Sequence, residues 1–127
     1  MSEDDNAYIR SQLDLSRTLT EAGDALSAIQ ILKIAVSSFP DVPIIYQYLG
    51  MSYIGASDFE NAIKCFEKAI DLHSEYPDPW FNLGTIHEDE YSDYSNALRC
   101  YKKCIALSEG KLSQQALQRI NNLADFM

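Results

Sequence analysis

The cysteines are the side chains of this sequence with the most evident capacity for chemistry. Cys100 and Cys104 lie four residues apart, a spacing that places two thiols on one face of a helix, where they could form a redox pair or half of a metal site. The third, Cys65, leaves an odd number with no paired metal-type spacing, and His73 and His87 stand without companion ligands. We therefore expect free buried thiols, no metal and no cofactor, and keep a thiol redox protein as an alternative.

Other catalytic motifs are missing from the sequence. It contains no glycine-rich phosphate loop, no nucleophile elbow and no helix with two metal-binding histidines. Since no constellation of nucleophile, base and orienting group is evident, we expect that the chain is not an enzyme.

Charge and hydropathy narrow the classes of partner. The formal net charge is -9, from 19 acidic and 10 basic residues, so phosphate backbones and anionic lipid surfaces are repelled. The longest apolar run, Val42–Tyr48, is far shorter than the roughly 20 residues of a membrane span. The acidic start, Met1–Asp5, does not resemble a signal peptide. We expect a cytoplasmic protein that binds no nucleic acid and does not insert into a membrane.

The elements that would position any site repeat every 34 residues. A first set of four positions recurs at this shift: Gln12, Leu15, Ser16 and Leu19, then Tyr46, Leu49, Gly50 and Tyr53, then Trp80, Leu83, Gly84 and His87. A second set recurs as Asp24, Ala28, Leu32 and Ala35, then Asp58, Ala62, Phe66 and Ala69, then, after 35 residues, Asp93, Ala97, Tyr101 and Cys104. The extra residue must lie within Glu88–Ser92. Each copy has two segments with apolar residues three and four apart, which predicts a helical hairpin.

Turn residues and prolines punctuate the copies. The pairs that separate the two helices of a hairpin each end in an aspartate suited to cap the second helix: Gly23-Asp24, Ser57-Asp58 and Ser92-Asp93. Prolines 40 and 43 separate the first two copies, and Pro77 and Pro79 open the third. Gly50, Ala62, Gly84 and Ala97 are small where the paired helices must approach closely.

The pattern Trp80-x2-Leu83-Gly84-x2-His87, followed by Ala97-x3-Tyr101, resembles the tetratricopeptide repeat, as does Tyr46-x2-Leu49-Gly50-x2-Tyr53 with Ala62-x3-Phe66. The resemblance implies an all-α fold, a right-handed α-α superhelix (TPR solenoid) of three helical hairpins plus a C-terminal capping helix. We expect a single domain over residues 1–127, with repeats at about 9–42, 43–76 and 77–111 and the capping helix at about 112–126. The first copy departs from the pattern, with Gln12, Ser16 and Leu19 where the aromatic, glycine and tyrosine are usual.

In this family, one stripe of the first helix of each repeat lines a concave peptide-binding groove. The resemblance assigns that stripe to Arg10, Leu13, Arg17, Ile44, Gln47, Met51, Ile54, Asp78, Phe81, Asn82, Thr85 and Glu88. Leu13, Ile44, Met51, Ile54 and Phe81 would form an apolar trough for a helix or an extended segment of a partner protein. Arg10 and Arg17 near one end, and Asp78, Glu88 and Asp89 near the other, would align that partner in one direction.

Some family members clamp the C-terminal carboxylate of heat-shock chaperones with lysines, asparagines and an arginine. Asn82 matches one asparagine position, but Gln47, Met51, Ser113 and Leu117 stand at four of the other clamp positions. An acidic chaperone tail is therefore disfavoured. The function that the resemblance implies is that of a scaffold, adaptor or holding chaperone that binds a protein or peptide. The alternatives are a client chaperone similar to those of bacterial secretion and self-assembly, including a homodimer that hides the groove.

Overall fold

Seven α-helices make up residues 1–126, the part of the chain that the computed structural model describes. They are α1 (Glu3–Glu21), α2 (Ala25–Ser38), α3 (Pro43–Gly55), α4 (Phe59–Leu72), α5 (Pro77–Asp89), α6 (Tyr94–Leu107) and α7 (Lys111–Leu123). Residues 1–126 contain no strand and no helix that is long and apolar enough to cross a membrane. The predicted all-α fold class, with three hairpins (α1–α2, α3–α4 and α5–α6) followed by a single helix, is confirmed.

The chain forms two compact units, and each is described by itself. The first comprises Met1–Leu72 with α1 to α4, and the second begins at His73 and contains α5 to α7. The single domain expected over residues 1–127 stays a prediction, and its last residue, Met127, lies outside the described residues.

The terminal helices have different limits from those expected. Helix α1 begins at Glu3, six residues before the predicted start of the first repeat, because Ser2 and Asp5 cap it reciprocally. The Asp5 backbone N–H donates to Ser2 Oγ at 3.0 Å, and the Ser2 N–H donates to Asp5 Oδ2 at 3.2 Å. Helix α7 ends at Leu123, before the predicted residue 126, and the Phe126 N–H donates to the Leu123 carbonyl in a turn.

One turn plan joins the two helices of every hairpin. In each turn the residue before the capping aspartate has a positive φ: Gly23 (89°), Ser57 (59°) and Ser92 (51°). The aspartate Oδ1 then accepts the backbone N–H three residues ahead, at 3.2 Å in all three hairpins. The helix starts predicted from these aspartates are therefore found in the structure.

The third turn is one residue longer than the other two. The N–H of Asp24 donates to the carbonyl of Leu19 and that of Asp58 donates to Tyr53, in each case five residues back. The N–H of Asp93 instead reaches the carbonyl of His87, six residues back. The extra residue predicted within Glu88–Ser92 thus lengthens this loop and leaves the hairpin intact.

Glycine permits the close approach of the helices within the second and third hairpins. A Cβ placed on Gly50 would lie 2.6 Å from the Phe66 ring, and one on Gly84 would lie 2.5 Å from the Tyr101 ring. Both rings are fully buried. The small alanines of α4 and α6, Ala62 and Ala97, are also fully buried. The sequence prediction for these small positions is confirmed.

The first helix keeps the burial pattern of the repeat at Leu13 and Ser16, which align with the buried Gln47 and Gly50, but departs from it at Leu15. Leu15 falls on the buried Leu49 and Leu83 in the alignment, yet its side chain is exposed. Helix α1 buries Ile9, Leu13 and Ser16 instead. These three positions form one stripe, and Leu15 lies about 200° around the helix from Leu13. The packing role implied for Leu15 is therefore wrong.

Helix α7 covers the core of the second unit. Its Ala116 and Leu123 are buried in one cluster with Ala97, Tyr101 and Cys104 of α6. Half-buried Leu112 and Ile120 pack against the same cluster. Because α7 hides an apolar face of α6 from water, its predicted capping role matches the packing seen in this unit.

Candidate functional site

The twelve residues predicted to line a groove lie on α1, α3 and α5 and belong to both compact units. Those of the first unit are Arg10, Leu13 and Arg17 on α1 and Ile44, Gln47, Met51 and Ile54 on α3. Those of the second unit are Asp78, Phe81, Asn82, Thr85 and Glu88 on α5.

Two of the predicted residues of the first unit have no surface to offer a partner. Leu13 is 8% exposed and Gln47 is 4% exposed, so both belong to the interior. The expectation that they line an open trough is corrected: the α1 stripe that contains Leu13 is the one that α1 buries. Gln47 Nε2 lies 3.6 Å from the Met51 sulfur, and among the described residues Gln47 Oε1 has no hydrogen-bond partner.

A concavity lies between α1 and α3. It has a volume of about 120 Å³ and is lined by Ser16, Arg17, Thr20, Glu21, Tyr48, Met51 and Ser52. Arg17 and Met51 are the two predicted groove residues that the structure brings together here. Ile44 and Met51 are 38% and 40% exposed, and Ile54 is half-buried. The apolar contact surface of this unit therefore centres on Met51.

The hydroxyl groups in the wall of this concavity are already satisfied. Ser16 Oγ donates to the Leu13 carbonyl, Thr20 Oγ1 to the Ser16 carbonyl and Ser52 Oγ to the Tyr48 carbonyl, at 2.8 to 3.1 Å. Thr20 and Ser52 also lie within 3.2 Å of each other and so join α1 to α3. Because these three hydroxyl groups donate to their own helices, a ligand would find mainly hydrocarbon contact and the Arg17 and Glu21 charges here.

The charged residues of the predicted groove differ in their exposure and in their ion pairs. Arg10 is exposed and Arg17 forms a solvent-exposed ion pair with Asp14 at 3.4 Å. In the second unit, burial raises the pKa of the half-buried Asp78 carboxyl.

Glu88 is tied into the second unit and is not a free groove charge. Its side chain is 15% exposed, accepts the Tyr101 hydroxyl at 2.7 Å and lies 3.3 Å from Arg119 Nη1 of α7. The same Arg119 nitrogen lies 3.2 Å from Asp89 Oδ1. Burial and the Glu88 carboxylate together hold the pKa of Tyr101 well above its usual range, so its hydroxyl is a permanent donor. The directing role predicted for Glu88 and Asp89 is weakened because Arg119 pairs with both, which leaves a net charge of -1 on the three side chains.

A shallow concavity of about 390 Å³ lies between α5 and α7. It is lined by Phe81, Gln115, Gln118, Arg119 and Asn122. The Phe81 ring centroid lies 5.8 Å from that of the buried Tyr101 and the residue is half-buried. Thr85 donates its hydroxyl to the Asn82 carbonyl at 2.9 Å. Phe81 thus offers one apolar face, bordered by amides, in the second unit.

The thiols are structural. Cys65, Cys100 and Cys104 are free and buried. Burial raises the pKa of Cys65 to about 12 and raises the pKa of both other thiols. Because the thiolate is the reactive form, these environments oppose nucleophilic and redox chemistry. Within residues 1–126, no three His, Cys, Asp or Glu side chains are placed to hold a metal ion.

A comparison with protein-family models supports the assignment of the repeat. A family model described as "TPR repeat" matches residues 50–89, from within α3 to the end of α5. These 40 residues, about a third of the chain, match a tetratricopeptide repeat. The resemblance seen in the Trp80-to-Tyr101 and Tyr46-to-Phe66 patterns is thereby confirmed. No curated protein matches the chain.

Solved tetratricopeptide-repeat domains share the fold. The Sgt2 TPR domain from Aspergillus fumigatus superposes with a TM-score of 0.80 at 19% identity, over 98% of this chain and 81% of that one. The first TPR of Spaghetti (RPAP3), solved with the HSP90 peptide SRMEEVD, gives 0.81 at 14% identity, over 91% of each chain. MamA from Desulfovibrio magneticus RS-1 gives 0.70 at 23% identity, over 77% of this chain but only 55% of that one. At these identities the likeness concerns the fold.

Sequence reasoning missed several residues of the two concavities. Thr20 could have been found, because the 34-residue shift places it on Ile54 and Glu88 of the predicted tetratricopeptide groove stripe. Tyr48 and Ser52 lie beside that stripe on α3. Arg119 carried no signal, since its partners Glu88 and Asp89 are 31 and 30 residues away and α7 lies outside the repeats.

Proposed function

We propose that this chain is a protein–protein interaction module that binds a peptide or helix of a partner on the surfaces of its tetratricopeptide helices α1, α3 and α5. The observation that carries the proposal is the concavity between α1 and α3, at whose edge Met51 is 40% exposed although it lies on a packed helix. Apolar surface of this kind is stabilised when a partner side chain removes it from water.

The size of this surface indicates weak binding by the first unit alone. Covering the exposed parts of Ile44, Tyr48 and Met51 contributes roughly 1.5 kcal/mol each, about 4 to 5 kcal/mol before the costs of association. Even before those costs are subtracted, this gain corresponds to no more than about millimolar affinity. A tighter complex therefore needs charge contacts from Arg17 or Glu21.

The finer role that we favour is that of a scaffold or adaptor. A holding or secretion-type chaperone must cover a long apolar client segment, and a concavity of about 120 Å³ suits one or two side chains. Some structural neighbours are described as bound to HSP90 or HSP70 peptides ending in EEVD. In this chain Gln47 is buried and Met51 is apolar at clamp positions, so we propose a partner segment with apolar side chains. The cytoplasmic location stays a prediction.

The test replaces Met51 by glutamate. Peptides are selected from a displayed random library against the wild-type chain, and the affinity of the best sequences is measured by fluorescence anisotropy. We expect Met51→Glu to weaken binding at least about tenfold, because a carboxylate replaces the hydrocarbon contact. The matched control is Ile34→Glu, which places the same charge at an exposed isoleucine of α2.

Binding that Met51→Glu leaves unchanged while both variants keep the wild-type circular dichroism would contradict the proposal. Equal losses in the two variants would also contradict it, since they would indicate a general charge effect. Light scattering across dilution separates the alternative of self-assembly, because a second copy in the groove would make the mass depend on concentration.

A further inference from the structure

Positive charge is concentrated in a cleft on one face of α6. Arg99, Lys102 and Lys103 lie at helical spacing and, with Ala106 and Trp80 of α5, line a concavity of about 390 Å³. The whole chain has only 10 lysines and arginines and a net charge of -9. This cleft is therefore positively charged, whereas the rest of the molecule carries a net negative charge. It shares no residue with the predicted groove.

The cations of the cleft are not neutralised by the chain. In the described residues, the ion pairs of basic side chains are those of Arg17 with Asp14 and of Arg119 with Glu88 and Asp89. Arg99, Lys102 and Lys103 have no ion-pair partner there and stay exposed. Arg99 and Lys103 are four residues apart, an arrangement in which like charges destabilise a helix by a few tenths of a kcal/mol. The spacing of Arg99 and Lys103 therefore does not stabilise α6 itself.

Trp80 gives the cleft an aromatic wall. The Lys103 Nζ lies 5.9 Å from the centroid of the Trp80 ring, within the range of a cation–π contact. The indole N–H donates to the Ser74 carbonyl at 3.4 Å, and the half-buried ring packs against the core of the second unit. The ring is therefore held in place while part of it lines the open cleft.

We infer that this cleft binds a short acidic segment of a partner protein, whose carboxylates pair with Arg99, Lys102 and Lys103 while an apolar side chain packs on Trp80. The three cations favour carboxylates in the partner segment, and the Trp80 indole favours an apolar side chain beside them. An extended polyanion is disfavoured, because salt does not screen charges that lie within about 8 Å of each other, and acidic side chains outside the cleft would repel it. A nucleic acid or an anionic membrane would extend past the cleft and meet the acidic remainder of the surface.

The experiment uses the full chain and a synthetic, fluorophore-labelled peptide of alternating glutamate and phenylalanine. Its control peptide has glutamine in place of every glutamate. Affinity is read from anisotropy, and occupancy of the cleft is read from the emission of Trp80, which is the single tryptophan of the chain. We expect the acidic peptide to bind, to change the Trp80 emission at saturation and to bind at least about tenfold more tightly than the glutamine peptide.

The variant Lys102→Glu with Lys103→Glu reverses the charge of the cleft. Its matched control is Lys64→Glu with Lys68→Glu, two exposed lysines of α4 that change the net charge equally. We expect the cleft variant to lose at least about tenfold in affinity and the α4 variant to lose less than about threefold. Circular dichroism verifies that both variants are folded.

Four outcomes would overturn the inference. They are equal losses in the two double variants, an unchanged Trp80 emission at saturating peptide, equal binding of the glutamine peptide, and tighter binding of a duplex DNA oligonucleotide or of phosphatidylserine vesicles than of the acidic peptide. The proposed groove function does not depend on this result, since Met51 and the cleft lie on different helices and are tested by different variants.

Discussion

At the scale of single residues, the tightest constraints fall where a helix backbone meets an aromatic ring. Gly50 faces Phe66 and Gly84 faces Tyr101, with room for a hydrogen but not for a methyl group. The rings in turn are fully buried. Because interiors are close-packed, neither ring has free volume into which it can withdraw.

We predict that Gly50→Ala destabilises the chain by about 1 to 3 kcal/mol, since the added Cβ would lie 2.6 Å from the Phe66 ring. Urea unfolding followed by circular dichroism measures the change. In a Phe66→Leu background the cost of Gly50→Ala should be smaller, because the ring that it strikes is gone. An unchanged or increased stability of Gly50→Ala would show that the two helices can separate without loss.

At the scale of the elements, aspartates at the helix starts connect the stability of the hairpins to pH. Hydrogen bonds from the Asn61 side chain and backbone lower the pKa of Asp58, and those from Asn96 lower the pKa of Asp93. A carboxyl group whose pKa is lower in the folded than in the unfolded chain stabilises the fold above its unfolded pKa. That contribution is lost as the pH falls through the folded pKa.

We predict that the variant Asp58→Asn with Asp93→Asn loses less of its melting temperature than the wild type between about pH 5 and pH 2. The amide keeps an acceptor oxygen for the cap but carries no charge to be titrated. Asp71→Asn, at an exposed position in α4, is the control. Parallel melting curves of the wild type and the double variant over this range would refute the assignment.

The elements also show how much of the fold follows from sequence. The hairpins and their turns were predictable, because a repeat of 34 residues indicates helices that pack in the same way. The single step of 35 residues revealed the extra residue before Asp93. The exposure of Leu15 was not predictable, since the aligned Leu49 and Leu83 are both buried. Nor was the Arg119 contact with Glu88, because a pair between a repeat and a capping helix has no period. The burial of Gln47 likewise contradicts its polar type.

At the scale of the whole molecule, the burial of the thiols argues against the redox alternative. The first unit contains Cys65, and the second contains Cys100 and Cys104. All three side chains are buried and their pKa values are raised by burial. Reaction therefore requires that a unit opens.

We predict that the three thiols of the native chain react with a disulfide reagent at least about 100-fold more slowly than in urea, where each should react once. Absorbance of the released thiolate at neutral pH gives both the rate and the number. A native thiol that reacts at the rate of a free cysteine would support the redox alternative. Mass spectrometry of the product would show whether Cys100 or Cys104 had reacted.

The unequal lengths of the three hairpin turns determine how the hairpins of this chain could be recombined into a longer series of repeats. Left-handed backbone is provided by glycine at residue 23 and by serine at residues 57 and 92. The α1–α2 and α3–α4 linkers are therefore interchangeable in length, and the glycine can be transplanted into the second without a change of frame. A chimera that grafts either linker between α5 and α6 removes one position from 90–92, and His87 then lies five residues before the capping aspartate, as Leu19 and Tyr53 do.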